Sequence, residues 1–213
     1  MRARFNKEAI DKLKENEKYI ASKEILHKIL KEKLKDGKKL FIEIGMGKGE
    51  FISNMSYNDR DNIYIGVELC IPVLALAIKK INRFEEEKNI KLDNLFLMSF
   101  DALNVGEMLG EFKVDKIYLN FSDPWPKTKH AKRRLTNEKF LNEYRKIMKD
   151  DATLEFKTDN RGLFEYSLVS MQNFGFKFIE VYLDLHKTDI PNVVTEYEEK
   201  FSRFGPIYKL VVK

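Results

Sequence analysis

Acidic residues stand at or next to the ends of four apolar runs, and the first of them runs directly into glycines. The segment Glu43-Ile44-Gly45-Met46-Gly47-Lys48-Gly49 sets three glycines at alternate positions, straight after the apolar stretch Leu40 to Ile44. Glycines there let the chain turn sharply and let a ligand approach the main chain. No Gly-Lys-Ser/Thr follows at P-loop spacing, and the pattern is not the G-x-G-x-x-G of a nicotinamide site. The next run ends Ile65-Gly66-Val67-Glu68, with Glu68 19 residues after Gly49. A carboxylate so placed can accept both ribose hydroxyls of an adenosine. The third ends Ser99-Phe100-Asp101-Ala102, where Asp101 can accept a hydrogen bond from an adenine amino group. Each acid alone reads equally well as a solvent cap. Three in succession, with the glycines, point to adenosine binding.

The fourth run ends Asn120-Phe121-Ser122-Asp123-Pro124-Trp125-Pro126-Lys127. Two prolines make the loop stiff, and the only tryptophan gives it a large stacking face. Lys127 to Arg134 then carries five permanent charges in eight positions: Lys127, Lys129, Lys132, Arg133 and Arg134. A rigid aromatic followed by cations suits a base held above a cofactor with phosphates gripped nearby. Anchoring the loop to the core is the other reading of Trp125. His130 reads either as a phosphate contact or as a cap of the loop.

The elements that must position these residues alternate. Residues 7–36 read as one or two helices, from apolar residues at helical spacing. Strands are expected at Leu40–Ile44, Asn62–Leu69, Leu95–Phe100, Val114–Phe121 and Ala152–Lys157, with a closing pair at Phe176–Leu185 and Ile207–Val212. Helices are expected from Glu50, after Pro72 with Val73, Leu74, Leu76, Ala77, Ile81 and Phe84 inward, at Thr136–Met148 capped by Thr136, and at Leu163–Phe174. Alternation of this kind implies an α/β fold with a mostly parallel sheet, whose ligands bind at the carboxyl ends of the strands.

The chain has 213 residues, 43% hydrophobic and 34% charged, which excludes a disordered or fibrous class. The single cysteine, Cys70, excludes an intramolecular disulfide and a multi-cysteine zinc site, and no metal constellation is visible. No apolar run approaches a membrane span, and no apolar segment follows the basic N-terminus as in a secretory signal, so a cytoplasmic protein is expected. Net charge is +5. Residues 1–39 hold 13 Lys+Arg against 7 Asp+Glu, so the remainder is close to neutral. Two parts are read from this: a basic helical N-terminal extension, residues 1–38, and a catalytic domain, residues 39–213. The basic surface suggests a polyanionic partner.

Acid-x-Gly-x-Gly-x-Gly resembles the first motif of class I S-adenosylmethionine-dependent methyltransferases. Such a cofactor has no pyrophosphate, and an acid near the glycines suits its cationic methionine part. Beyond about residue 38 the chain resembles the tRNA (guanine-N7-)-methyltransferase family. The most specific stretch is Asp123-Pro124-Trp125-Pro126-Lys127-Thr128-Lys129-His130-Ala131-Lys132-Arg133-Arg134-Leu135, with Thr158-Asp159 and Thr195-Glu196-Tyr197-Glu198 as further marks. Thr128 and Lys129 depart from the family pattern of a base and an arginine; the lysine keeps charge but loses a bidentate fork.

The resemblance implies the class I Rossmann-like fold, a seven-stranded mostly parallel sheet with helices on both faces. It implies an S-adenosyl-L-methionine site at Glu43, Gly45, Gly47, Gly49, Glu68, Asp101, Ala102 and Asp123, with Asp123 catalytic. Lys127, Asp159, Thr195, Glu196, Tyr197 and Glu198 are expected to contact substrate, and Lys127, Lys129, His130, Lys132, Arg133 and Arg134 to hold RNA. The implied reaction is methylation of guanine N7 in the tRNA variable loop, by a monomer or homodimer that needs no other protein and no membrane. Three rivals fit less well. Exocyclic-amine methyltransferases carry Asp/Asn-Pro-Pro-Tyr/Phe, whereas the aromatic here is third. A non-catalytic tRNA-binding module does not need the intact glycines and acids, and a dehydrogenase needs the missing glycine spacing.

Overall fold

Parallel strands covered on both faces need near-continuous apolar sequence, and Leu40–Ile44, Ile63–Val67 and Leu95–Met98 meet that need. They form β1, β2 and β3 in the computed structural model, which describes Leu13, residues 16–35 and residues 37–213. β4 (Val114–Asn120) and β5 (Met148–Thr158) continue the parallel set. β7 (Tyr208–Val212) enters antiparallel between β5 and β6 (Phe178–Tyr182). The order is β3-β2-β1-β4-β5-β7-β6, a single seven-stranded mixed sheet. This is the α/β architecture expected, and the order reverses between β1 and β4.

Side chains alternate across a strand, so Tyr64 on β2 faces one side while Ile63, Ile65 and Val67 face the other. Tyr64 packs with α2 (Glu50–Asn58) and α3 (Ile71–Lys88) through Ile52, Leu74, Ala77, Ile78 and Ile81. The opposite face packs α1 (Lys23–Lys33), α4 (Val105–Leu109), α5 (Glu138–Ile147) and α6 (Arg161–Asn173).

Three expectations change. Leu76 is 53% exposed rather than inward, because Ala77 and Ile78 hold the buried stripe of α3. Thr136 does not cap α5. It is buried, its hydroxyl 2.8 Å from Ser167 Oγ, and Asn137 Oδ1 takes the capping role by accepting from Lys139 N. Within the span read as helical over residues 7–36, residues 16–22 form a turn, a bridge and a bend, and α1 begins only at Lys23; this segment is packed on the fold. Leu26 and Leu30 are fully buried in the main core, and residues 18–20 exchange backbone hydrogen bonds with Leu97 on β3. Lys18 is itself buried, its Nζ 2.8 Å from Glu85 and donating to Leu92 O. Part of the basic excess therefore holds the fold. Of residues 1–36, residues 1–12, 14, 15 and 36 lie outside the described residues.

Candidate active site

The crevice opens where the strand order reverses, beyond the carboxyl ends of β1 and β4. In the loop after β1, Gly45, Gly47 and Gly49 have φ of 76°, 57° and 75°, a region that favours glycine. Gly45 N and Met46 N both donate to Val67 O, tying the loop to the end of β2. Gly66 on β2 makes room for it, since a Cβ there would run into Met46 Sδ. Gly49 begins α2, which packs on α3.

Two cavities flank this loop and share Gly45 and Phe121. The larger, about 530 Å³, is lined by Glu68, Asp101, Ala102, Asp123, Trp125 and Arg133, with apolar walls from Leu69, Leu103 and Phe140. The smaller, about 340 Å³, is lined by Glu43, Gly47, Asn120, Thr195, Glu196 and Tyr197. The acids read together from the sequence are thus divided between two compartments.

In the larger cavity, Glu68 accepts from Gly47 N at 3.1 Å and Cys70 N at 2.8 Å, which fixes the carboxylate against the glycine loop. Burial raises its pKa despite these bonds. Asp101 Oδ1 accepts from Leu103 N at 2.9 Å and caps a short 3-10 turn that begins at the buried Ala102. Each oxygen of these carboxylates keeps a further lone pair. Asp123 is exposed at the cavity wall.

In the smaller cavity, Glu43 is fully buried, which pushes its carboxyl up to about 7. Asn120 Nδ2 donates to Glu43 Oε1 at 2.9 Å across the β1–β4 boundary. Glu43 Oε2 and Asn120 Oδ1 here, and Ser122 Oγ beside the larger cavity, are buried with no partner among the described residues. Unpaired buried polar atoms are costly, and three beside one crevice indicate a polar ligand that brings donors. Glu196 is held below the usual carboxylate range by Lys80 first, then by Lys48.

Two residues around this crevice carry backbone strain. Phe121 and Trp125 have φ of 49° and 41°, each costing about 1–2 kcal/mol for a bulky L-residue. Arg134 offsets this by donating to the carbonyls of Pro124 (3.0 Å) and Trp125 (3.1 Å) while stacking on Tyr166. Its guanidinium is committed to the loop. Arg133 lies over the Trp125 ring at 4.7 Å and His130 meets that ring edge-on. Lys127, Lys129 and Lys132 are exposed around a 3-10 turn at 128–133.

The segment Thr195 to Glu198 opens α7 (Glu196–Phe201). Tyr197 OH donates to Asp159 Oδ2 at 3.1 Å, which brings the end of β5 to this wall. Glu198 points the other way and is fully buried. Its oxygens accept from Lys157 Nζ (2.8 Å), Asn192 Nδ2 (2.6 Å) and the Thr195 backbone in a capping box, and His186 Nε2 lies 3.0 Å away. It has no surface to offer a substrate. Its charge is paired with that of Lys157.

Sequence reasoning did not single out Asn120, Phe121 or Lys157 as site residues. A signal existed for Lys157, a lysine next to Phe156 near the end of β5, since an ammonium buried there requires a carboxylate. Nothing local marked Glu198 as its partner.

The family model Methyltransf_4, described as "Putative methyltransferase", matches residues 37–210. The tRNA (guanine-N(7)-)-methyltransferase of Lactobacillus johnsonii is 53% identical over 178 residues, covering 81% of this chain and 79% of that protein. The enzyme of the same name from Lactiplantibacillus plantarum is 48% identical over 174 residues, covering 81% and 78%. Among solved structures, an antibiotic-related methyltransferase superposes with a TM-score of 0.64 at 21% identity, covering 90% of this chain and 92% of that one. An aminoglycoside resistance methyltransferase reaches 0.60 at 16% identity, covering 91% and 93%. At those identities the likeness is one of fold, and the fold is that of a class I methyltransferase. A family-model match over residues 37–210, which spans the glycine loop and Asp123 to Arg134, together with identities of 53% and 48% over 81% of the chain, means that the chain belongs to the tRNA (guanine-N7-)-methyltransferase family.

Proposed function

We propose that this protein transfers a methyl group from S-adenosylmethionine to N7 of a guanine in the variable loop of tRNA. The observation that carries the reading is the pair of cavities meeting at Gly45 and Phe121, with Asp123 at the wall of the larger. The donor set fits the cofactor. Glu68 and Asp101 would hold its ribose and adenine, and the unpartnered oxygens of Glu43 and Asn120 would take its ammonium group. When bound, S-adenosylmethionine supplies an electrophilic sulfonium methyl group.

The chain's own task is electrostatic. Guanine N7 has an in-plane lone pair and no proton, so no residue must act as a general base there. Positive charge develops on the purine, and the carboxylate of Asp123 at the cavity wall stabilises it. Asp159, steadied by Tyr197 OH, keeps one oxygen for the N1–H and N2–H donors of guanine. Adenine would present an acceptor to the same carboxylate and be rejected. Lys127, Lys129 and Lys132 grip phosphates, while Arg134 shapes the loop that carries Trp125.

Methyl transfer to unmodified tRNA, followed by nucleoside mass spectrometry, tests the assignment. 7-Methylguanosine in the variable loop is expected, and any other methylated nucleoside would sink it. RNA affinity is expected to fall steeply with salt. Replacing Lys127, Lys129 and Lys132 together by Gln should reduce the slope of log Kd against log salt by about two. An unchanged slope removes these lysines from the phosphate grip.

Cofactor binding should depend on pH through Glu43. Its carboxyl titrates at about 7, with Lys157 and Glu68 as the charged neighbours facing it. Below that pH it is neutral and loses its attraction for a cation. Affinity for S-adenosylmethionine should therefore weaken about fivefold to tenfold from pH 7.5 to pH 6. Glu43→Gln should bind weakly and without pH dependence over that interval. Equilibrium dialysis reads both, and a flat wild-type profile excludes the role.

A further inference from the structure

A line of aromatic rings leads out of the smaller cavity. It starts at Phe121, on the seam between the cavities, 5.1 Å from the Tyr197 ring. Tyr197 stacks on Phe201 at 4.2 Å and 26°, and Phe201 neighbours Phe204 at 6.2 Å. The line ends in solvent, with Phe204 72% exposed and Tyr197 42% exposed. Single exposed apolar residues are ordinary. A connected series beginning at a ligand cavity is not.

Cations flank the outer rings. Lys200 Nζ lies 5.5 Å from the Phe201 ring centre, and the Arg203 guanidinium 5.0 Å from that of Phe204. Neither is in an ion pair among the described residues, so both charges are available to an anion. The segment is also held firmly for a surface one. The capping box of Thr195 and Glu198 starts α7, and the buried Lys157–Glu198 pair ties that turn to β5. Successive π-faces with interleaved cations match the repeat of a single-stranded nucleic acid, whose bases stack while its phosphates are neutralised.

We infer that Phe201 and Phe204, with Lys200 and Arg203, form a stacking platform for unpaired nucleotides that flank the target guanosine. The inference rests on the assignment of an RNA substrate made above and extends it beyond the residues assigned there. The platform runs outward from the cavity wall formed by Tyr197, so the RNA strand leaves the site along α7 and the 3-10 turn at 202–204. Charge complementarity and continuity with the cavity select RNA over a second copy of the chain.

The test is fluorescence anisotropy of unmodified tRNA with the full chain, alongside sedimentation velocity and cofactor dialysis. Phe204→Ala should weaken tRNA affinity about tenfold, the range measured for loss of one stacked base. Phe204→Trp should restore it to within about twofold, because the π-face returns. Arg203→Gln should weaken affinity and lower its salt dependence. S-adenosylmethionine affinity should not move in any of the three. Wild-type tRNA affinity in Phe204→Ala overturns the platform. So does a change of oligomeric state in that variant, which would make the patch a contact between copies. A wild-type protein that binds tRNA through Phe204 but forms no 7-methylguanosine would refute the methylation assignment and leave the platform standing.

Discussion

Replacing Asp123 by Ala is expected to lower kcat/KM for methyl transfer by about 10²–10³-fold, the scale seen when one preorganised transition-state contact is removed. The reason is where charge appears. The guanine gains a positive charge only as the methyl group arrives, so a carboxylate at the cavity wall favours the transition state over the bound ground state. Asp123 follows the strained Phe121, in a loop whose carbonyls at Pro124 and Trp125 Arg134 clamps, so the backbone that carries its carboxylate is held at the cavity wall. Cofactor affinity should survive within severalfold, because Glu43, Glu68 and Asp101 remain. Asp123→Asn separates charge from shape. It keeps the volume and one acceptor but not the charge, so it should resemble Asp123→Ala in kcat. Near wild-type turnover in either variant would sink the electrostatic role.

The second large effect is expected at Lys157. Both Lys157 and Glu198 have fully buried side chains, 2.8 Å apart. Removing one partner strands the other charge, at a cost of about 3–5 kcal/mol. For a domain of this size that corresponds to a fall in melting temperature of roughly 10 °C. Lys157→Ala should also release residues 192–198, since Lys157 Nζ donates to Asn192 Oδ1 and Val193 O as well. Hydrogen exchange should rise along α7, and the KM for tRNA should rise with it. The double variant Lys157→Met, Glu198→Leu removes both charges and should recover much of the lost stability, though not the ordered segment. A melting temperature for Lys157→Ala within about 2 °C of wild type would show that the pair does not hold this wall.

Much of the fold was legible because its signals are local. β1 to β3 read as strands from near-continuous apolar runs, and each alternates with a helical stretch. The glycine loop was legible because a left-handed turn admits few other residues. Helix detail was less so. Thr136 and Asn137 are both good caps in sequence, and burial of the Thr136 hydroxyl against Ser167, 31 residues away, made the choice. Leu76 and Ile78 are equally apolar, and only the position of the sheet decided which of them faced it.

The same division runs through the site. By itself the sequence determined which residues stand at the strand ends: Glu43, Glu68, Asp101 and Asp123, then the stiff Pro-Trp-Pro loop and its cations. Strand ends converge in any parallel sheet, so that much followed from order along the chain. Tertiary structure alone decided what each charge is for. It sent Glu43 into one cavity and Glu68, Asp101 and Asp123 to the other. Glu198 went to Lys157, 41 residues away, and Arg134 to the carbonyls behind Trp125. A carboxylate or guanidinium has the same identity whether it meets a ligand or another side chain. Its role depends on which partner the fold brings within about 3 Å, and such contacts join residues far apart in sequence.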